Sequence, residues 1–225
     1  MSVKRGKKPI LPSLSFEIEL GFPGQLIAGV DEVVRGCLAG PVVAAAVICP
    51  TIVDYESDPW LLKIADSKLV RPEVREWLEP QIKAWALAHA IGSADVFEIA
   101  EINIYHASHL AMKRALDGLS LRPDHALIDG NALPKNLRCS ATTIVKGDLK
   151  SLSIAAASII AKVYRDRLMV ESDTHYPGYG FSIHKGYGTP SHQAALKRLG
   201  VCDFHRRGFE PVDALLREAV LTHRI

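Results

Sequence analysis

Apolar runs that end in carboxylates constrain this chain more than any other feature. Leu26–Val30 leads into Asp31 and Glu32, His125–Ile128 leads into Asp129, and Thr142–Val145 stops just before Asp148. Each run has the length and composition of a short buried strand. Acids at the mouth of a buried strand cost desolvation and mutual repulsion, and a cation or a paired basic group would relieve that cost. One such pair by itself reads better as a solvated loop after a strand. Three acid-ended runs in one chain of 225 residues call for a common explanation.

The segments between them read as strands alternating with helices. Gln25–Glu32 and Pro41–Ile48 are expected as adjacent strands joined by a loop carrying Arg35, Gly36 and Gly40. Ala44, Ala45 and Ala46 are poor strand formers, but their small side chains permit close packing. Pro72 suits the first turn of a helix, and Pro80 is expected to kink or break that helix before Trp85. Leu87–Ser93 reads as a strand and Val96–Leu119 as a long helix. Asn103 shares a face with Ala100, Ala107, Leu110 and Ala111, so it is either a hydrogen-bonded core asparagine or a side chain reaching a polar site. Ser151 is placed to cap an alanine-rich helix running to about Met169, whose N-terminal dipole favours an ionised Asp148 just before it. Pro177–Pro190 reads as a loop rich in glycine, tyrosine and histidine, followed by helices over Ser191–Leu199 and Pro211–Leu221.

Alternation of this kind predicts an α/β sheet with the acids converging on one edge. The organisation expected is a flexible basic tail over 1–24, a catalytic domain over 25–176, and C-terminal loops and helices over 177–225 that complete the substrate site. Hydrophobic residues make up 48% of the chain, ample for one core, and the net charge of +2 is too mild to indicate nucleic acid by itself. Cys37, Cys49, Cys139 and Cys202 show no disulfide framework or zinc spacing, which with no secretory signal points to a reducing cytoplasm. The apolar runs are too short to span a membrane.

Four oxygen-donor acids without thiolates or a histidine motif suit Mg²⁺ or Mn²⁺ rather than zinc. Two such ions roughly 3.5–4 Å apart would clamp the attacking and leaving oxygens of a phosphodiester. Lys185, Lys197, Arg198, Arg206 and Arg207 cluster in sequence around Tyr179, Phe181 and Tyr187, a composition that suits a nucleic-acid backbone. The rival readings are another two-metal enzyme, such as a DNA nuclease or phosphatase, and a catalytically impaired binding protein on the same fold.

The segment GVDEVVRGCLAGPVVAAAV resembles the GVDEAGRGPLAGPVVAAAV opening of bacterial ribonuclease HII. The resemblance continues through ADSK at Ala65–Lys68, IDGN at Ile128–Asn131, KGD at Lys146–Asp148 and SIAAASIIAKVYRD at Ser153–Asp166. It ends with YGFSIHKGYGT at Tyr179–Thr189 and HRRGFEPV at His205–Val212. It implies a ribonuclease-H-like mixed β-sheet flanked by helices, with a small helical C-terminal region. It also implies a monomeric endonuclease that cuts RNA in RNA–DNA hybrids and incises 5′ of single ribonucleotides in duplex DNA, a step in ribonucleotide excision repair. By the same resemblance Asp31, Glu32, Asp129 and Asp148 hold Mn²⁺ or Mg²⁺, and Tyr187 stacks on the deoxyribose at the RNA–DNA junction. Arg35 and Gly36 match the end of a Gly-Arg-Gly loop whose backbone contacts the ribose 2′-OH, with Lys68 and Asn103 as nearby polar contacts. His184 and His205 are candidates for phosphate contact or for structural hydrogen bonding.

One position departs seriously. Where the family pattern has glycine, this chain has Val34, and Cys37 replaces the usual proline. A β-branched residue is an outlier at φ > 0. Val34 is therefore expected either to sit strained or to move the loop, weakening cleavage while leaving the acids in place.

Overall fold

The computed structural model describes residues 11–222. Lys4, Arg5, Lys7 and Lys8 of the expected basic tail lie outside the described residues. Five strands form one sheet: β1 (Ile27–Val33), β2 (Val42–Ile48), β3 (Ala88–Ala94), β4 (His125–Asp129) and β5 (Ser140–Ile144). Their spatial order is β3-β2-β1-β4-β5. β2 runs antiparallel to both β1 and β3, while β4 lies parallel to both β1 and β5. The helices are α1 (Ser15–Glu19), α2 (Pro72–Trp85), α3 (Val96–Asp117), α4 (Leu152–His175), α5 (Phe181–His184), α6 (Pro190–Leu199) and α7 (Val212–Thr222). The result is the α/β sheet that the alternation of elements predicted, mixed and flanked by helices as the family resemblance implied.

Strand alternation sorts the core into two layers. Val33, Val43, Ala45 and Val47 face α4, where Ala155, Ala156, Ile159 and Ile160 meet them. Ala28, Val30, Ala44, Ala46 and Ile48 face α3 and pack on Ala107, Ala111, Met112 and Ala115. The alanines of β2 are fully buried, so their small size is used as the sequence suggested. Close approach of sheet and helices depends on two glycines. A Cβ on Gly29 would stand 2.2 Å from the carbonyl carbon of Ser153, and one on Gly92 would stand 2.2 Å from the Ala111 carbonyl oxygen.

Four expectations need correction. The segment before Gly24 is not simply a tail: α1 packs against the start of α4. Buried Glu17 accepts from Ser151 Oγ at 2.7 Å, Ser153 Oγ at 2.6 Å and Ser153 N at 3.1 Å, so it stands in for main-chain partners at the head of α4. Pro80 does not end α2. Leu78 and Ile82 bury on either side of it, and Arg167 binds both Glu76 and Glu79 across the same turn. These contacts outweigh the one hydrogen bond that proline removes. The long helix over 96–117 is broken at Asn103, which adopts φ 62° and ψ 166°. Finally, α4 continues past Met169 to His175, and the segment 177–190 contains the short helix α5. The Ser151 cap is present, its hydroxyl accepting from Ile154 N at 3.2 Å.

Replacing Gly29 by alanine is expected to force β1 and α4 apart and to cost about 3 kcal/mol or more. Chemical denaturation measures this, and an unchanged midpoint would show that the two layers can separate freely.

Candidate active site

Asp31 and Glu32 lie within β1, opposite Ala45 and Ala44 of β2, and not in the loop beyond it. Alternation puts them on opposite faces, Asp31 on the α4 side with Gly29 and Glu32 on the α3 side with Val30. The parallel ladder pairs Val30 with Ile128, so the next residue on each strand is Asp31 on β1 and Asp129 on β4. Asp148 comes from a 3₁₀ turn over Gly147–Leu149 that links β5 to α4. Asp129 Oδ1 accepts from Gly147 N at 2.6 Å and so ties the end of β4 to that turn. The four acids therefore converge at the carboxyl ends of β1, β4 and β5, where open α/β sheets place their ligand crevices.

Their electrostatics record the crowding. Burial pushes the Asp31 carboxyl well above its usual range, and Glu32, Asp129 and Asp148 add repulsion while Lys68 opposes it. Burial also lifts Glu32 to about 7, against the pull of Arg35 3.7 Å away, with repulsion from Asp129 adding to the rise. Asp148 is pushed up to about 6 by burial, then by Asp66 and Asp129. Burial disfavours the Lys68 ammonium, yet Asp66, Asp31, Asp148 and Asp129 outweigh this and raise its pKa. Lys68 thus stands in the field of the cluster. Asp66 was not singled out by the sequence, although it lies in the ADSK segment. Its side chain accepts from Lys68 N at 2.8 Å and shapes that loop.

The loop after β1 holds the departure from the family pattern. Val34 sits at φ 65°, in the left-handed region, and is buried at 9% exposure. Such a conformation costs a β-branched residue on the order of 1–3 kcal/mol. Fully buried Arg206 holds it there, donating to the carbonyls of Val34 (2.9 Å), Arg35 (3.0 Å), Gly40 (2.7 Å) and Pro41 (2.9 Å). Arg165 adds bonds to Ala39 (2.7 Å) and Pro41 (3.0 Å). Arg35 and Gly36 remain exposed at the rim.

Sequence reasoning missed this clamp. It placed Arg206 in a basic patch around the aromatic loop, whereas its side chain is inside the protein; four carbonyls of one loop cannot be assigned to one arginine from spacing. Asn103 is not a core residue. It is exposed, and its Oδ1 accepts from Tyr105 N (3.0 Å) and His106 N (3.2 Å), capping the second half of α3. The nearest tie to the β1 loop is Arg35, whose guanidinium lies 5.9 Å from the Tyr105 ring centre. Tyr187 is 41% exposed and lies within the electrostatic reach of Lys68, which brings it to the same side of the molecule as the acids. His184 and His205 are structural. The His184 and His192 rings stack 4.2 Å apart, His192 and His205 share a 3.1 Å contact, and burial lowers His205 to about 4.

A mixed sheet with buried carboxylates at its strand ends, beside an exposed aromatic and a lysine, defines a nuclease of the ribonuclease H class. Solved structures share the fold: ribonuclease H2 from Pyrococcus horikoshii OT3 superposes with a TM-score of 0.69 at 26% identity, covering 85% of this chain and 97% of that one. The ribonuclease HII–PCNA complex from Archaeoglobus fulgidus gives 0.67 at 25% identity, covering 82% and 95%. The ribonuclease HII family model matches residues 28–212. Ribonuclease HII of Burkholderia mallei (strain SAVP1) is 49% identical over 203 residues, covering 89% of each chain. That of Albidiferax ferrireducens is 51% identical over 195 residues, covering 87% of this chain and 91% of the relative. The chain belongs to the ribonuclease HII family and is a ribonuclease H endonuclease.

Carboxyls whose folded pKa is raised contribute stability below their unfolded pKa and lose it as pH rises through the folded value. Asp31→Asn is therefore expected to stabilise the protein in chelator by about 1–3 kcal/mol near neutral pH. The advantage should be smallest below about pH 3.8, the ordinary value for this carboxyl, and grow as pH rises above it, because burial raises Asp31 itself. Thermal denaturation across that range checks it; a gain independent of pH would show that repulsion is not the cause.

Proposed function

We propose that this protein hydrolyses the RNA strand of RNA–DNA hybrids and incises duplex DNA 5′ of single ribonucleotides, leaving 3′-OH and 5′-phosphate ends. The observation that carries the reading is the convergence of Asp31, Glu32, Asp129 and Asp148, three of them with carboxyls driven upward by burial and by one another. Such a donor set fits hard divalent cations, Mg²⁺ or Mn²⁺, whose charge would remove the repulsion. Among the described residues no three His, Cys, Asp or Glu side chains are gathered tightly enough to enclose an ion. Mg²⁺ keeps several waters and takes substrate phosphate beside one or two carboxylates. When bound, two such ions supply an activated water and stabilise the leaving 3′-oxygen.

The chain's own groups would do the rest. The four carboxylates, set by strand register and the Gly147 turn, fix where the charge sits. Lys68 neutralises phosphate charge beside them. Tyr187 offers a partly exposed ring for stacking on the sugar at the RNA–DNA junction, and the Val34–Gly36 backbone meets the ribose 2′-OH that distinguishes RNA from DNA. One chain carries all these groups, which supports action as a monomer. A cytoplasmic role in ribonucleotide excision repair would follow from incision at single ribonucleotides.

Asp129→Asn and Asp148→Asn are each expected to reduce cleavage of a duplex with one embedded ribonucleotide by at least about a hundredfold, as loss of a charge-stabilising group does, without unfolding. Near-normal cleavage in both would remove the site assignment.

The strained Val34 supports a second reading, in which the chain binds hybrids but cuts them poorly. Val34→Gly relieves roughly 1–3 kcal/mol of strain and loses apolar burial worth a similar roughly 1.5–3 kcal/mol, so stability should change little. Activity is the informative measurement. Cleavage of the embedded ribonucleotide is expected to rise in Val34→Gly with Mn²⁺ affinity unchanged, and equal cleavage in both proteins would show that the loop serves as well with valine.

A further inference from the structure

Lys162 lies in the buried stretch of α4, between Ala161 and Val163, where most side chains are apolar. It is only 9% exposed, and burial lowers its pKa even though Asp166 favours its charged form. A buried ammonium is costly unless its partners compensate, and packing alone would be served by an apolar residue of the same length. The partners of Lys162 are specific. Its Nζ donates to Asp166 Oδ1 at 2.6 Å and lies 5.5 Å from the centre of the Tyr187 ring. The other oxygen of Asp166 is 3.6 Å from Arg75 Nη2. Arg75, itself buried, donates through Nη1 to the carbonyls of Ser67 and Val70, each at 2.6 Å. Those two carbonyls bracket Lys68. A single buried cation on α4 therefore touches the tyrosine of the C-terminal region and, through one carboxylate and one guanidinium, the loop that presents Lys68.

We propose that Lys162 is a positioning residue for substrate recognition: its ammonium, anchored by its pair with Asp166 and through it by Arg75, supports the Tyr187 ring from one face. The inference rests on the stacking role proposed for Tyr187. A cation against one face holds an aromatic ring by its quadrupole, and the attraction grows when the cation is desolvated, as here. The ring stays 41% exposed, so it is held without being covered. The support is rigid because α4 is the element on which β1 and β2 are packed.

The test uses the full-length protein with a duplex carrying one ribonucleotide, reading KM, kcat and melting temperature together. Lys162→Met, similar in length and uncharged, is expected to raise KM about three- to thirtyfold, with kcat changed by less than about twofold. Tyr187→Ala should also raise KM. Adding Lys162→Met to Tyr187→Ala should then cause little further loss, because the residue to be held is gone. Independent, multiplicative losses in the double variant would overturn the proposal. So would a Lys162→Met defect confined to melting temperature and to the amount of active enzyme. If Lys162→Met does not fold, Asp166→Asn carries the same comparison: a KM rise that requires Tyr187 supports the proposal, and an equal rise without Tyr187 overturns it. A normal KM in Tyr187→Ala would instead remove the stacking role itself, and the inference with it.

Discussion

The substrate side of this molecule depends on two arginines that never reach solvent. Arg206 and Arg165 together bind the carbonyls of Val34, Arg35, Ala39, Gly40 and Pro41, the loop that joins β1 to β2. A loop with its carbonyls turned inward would leave costly unpaired acceptors, and the guanidinium fork supplies several donors at once. Burial lowers the Arg206 pKa to about 10, still far above neutrality, so the donors stay charged. Arg206 comes from the C-terminal region, and main-chain bonds from Leu38 to Gly186 and from Gly40 to Phe204 run alongside it. The clamp thus docks the region bearing Tyr187 onto the strand bearing Asp31 and Glu32. Gly40 has to be glycine for this, since a Cβ there would stand 2.7 Å from Arg165 Nη2.

Against that rigid frame the carboxylates are arranged at a loss. Among the described residues, Lys68 and Arg35 offset part of the repulsion between Asp31, Glu32, Asp129 and Asp148 and no more. The hydrophobic layers of α3 and α4 on both sides of the sheet supply the stability that lets the acids stay close. Alanine and glycine at the interfaces bring those layers near enough to seal the strands, and that burial is the first cause of the raised carboxyl pKa values. Packing and electrostatics here are one arrangement seen from two sides.

Two residues at positive φ show how differently strain is carried. Asn103 and Val34 adopt φ of 62° and 65°. Asn103, with ψ 166°, stands where glycine is the usual residue, and its side chain offsets part of that cost by capping the restarted helix. Valine gains nothing locally. Its conformation is imposed by Arg206 on its carbonyl and by the apolar cluster around its side chain. The strain at Val34 is therefore a tertiary effect displayed at one residue.

The alternation of apolar runs with acids and helices was enough to read the sheet, its flanking helices and the four carboxylates, because period and chain order are local properties of a sequence. The φ > 0 at Val34 was legible as one of two outcomes, from the position of the missing glycine. Other features were decided only by the fold. Glu17 was unreadable as a buried cap for α4 because its partners are more than a hundred residues away. Pro80 passes through α2 because burial on both sides outweighs one lost bond. Arg206 looked like surface charge because nothing nearby in sequence indicates four carbonyls waiting inside. Lys162 and Asp66 gained their meaning from elements that meet only when the sheet closes. Spacing along the chain determines which residues can share a strand or a helix face; which charges end up beside one another depends on how those faces pack.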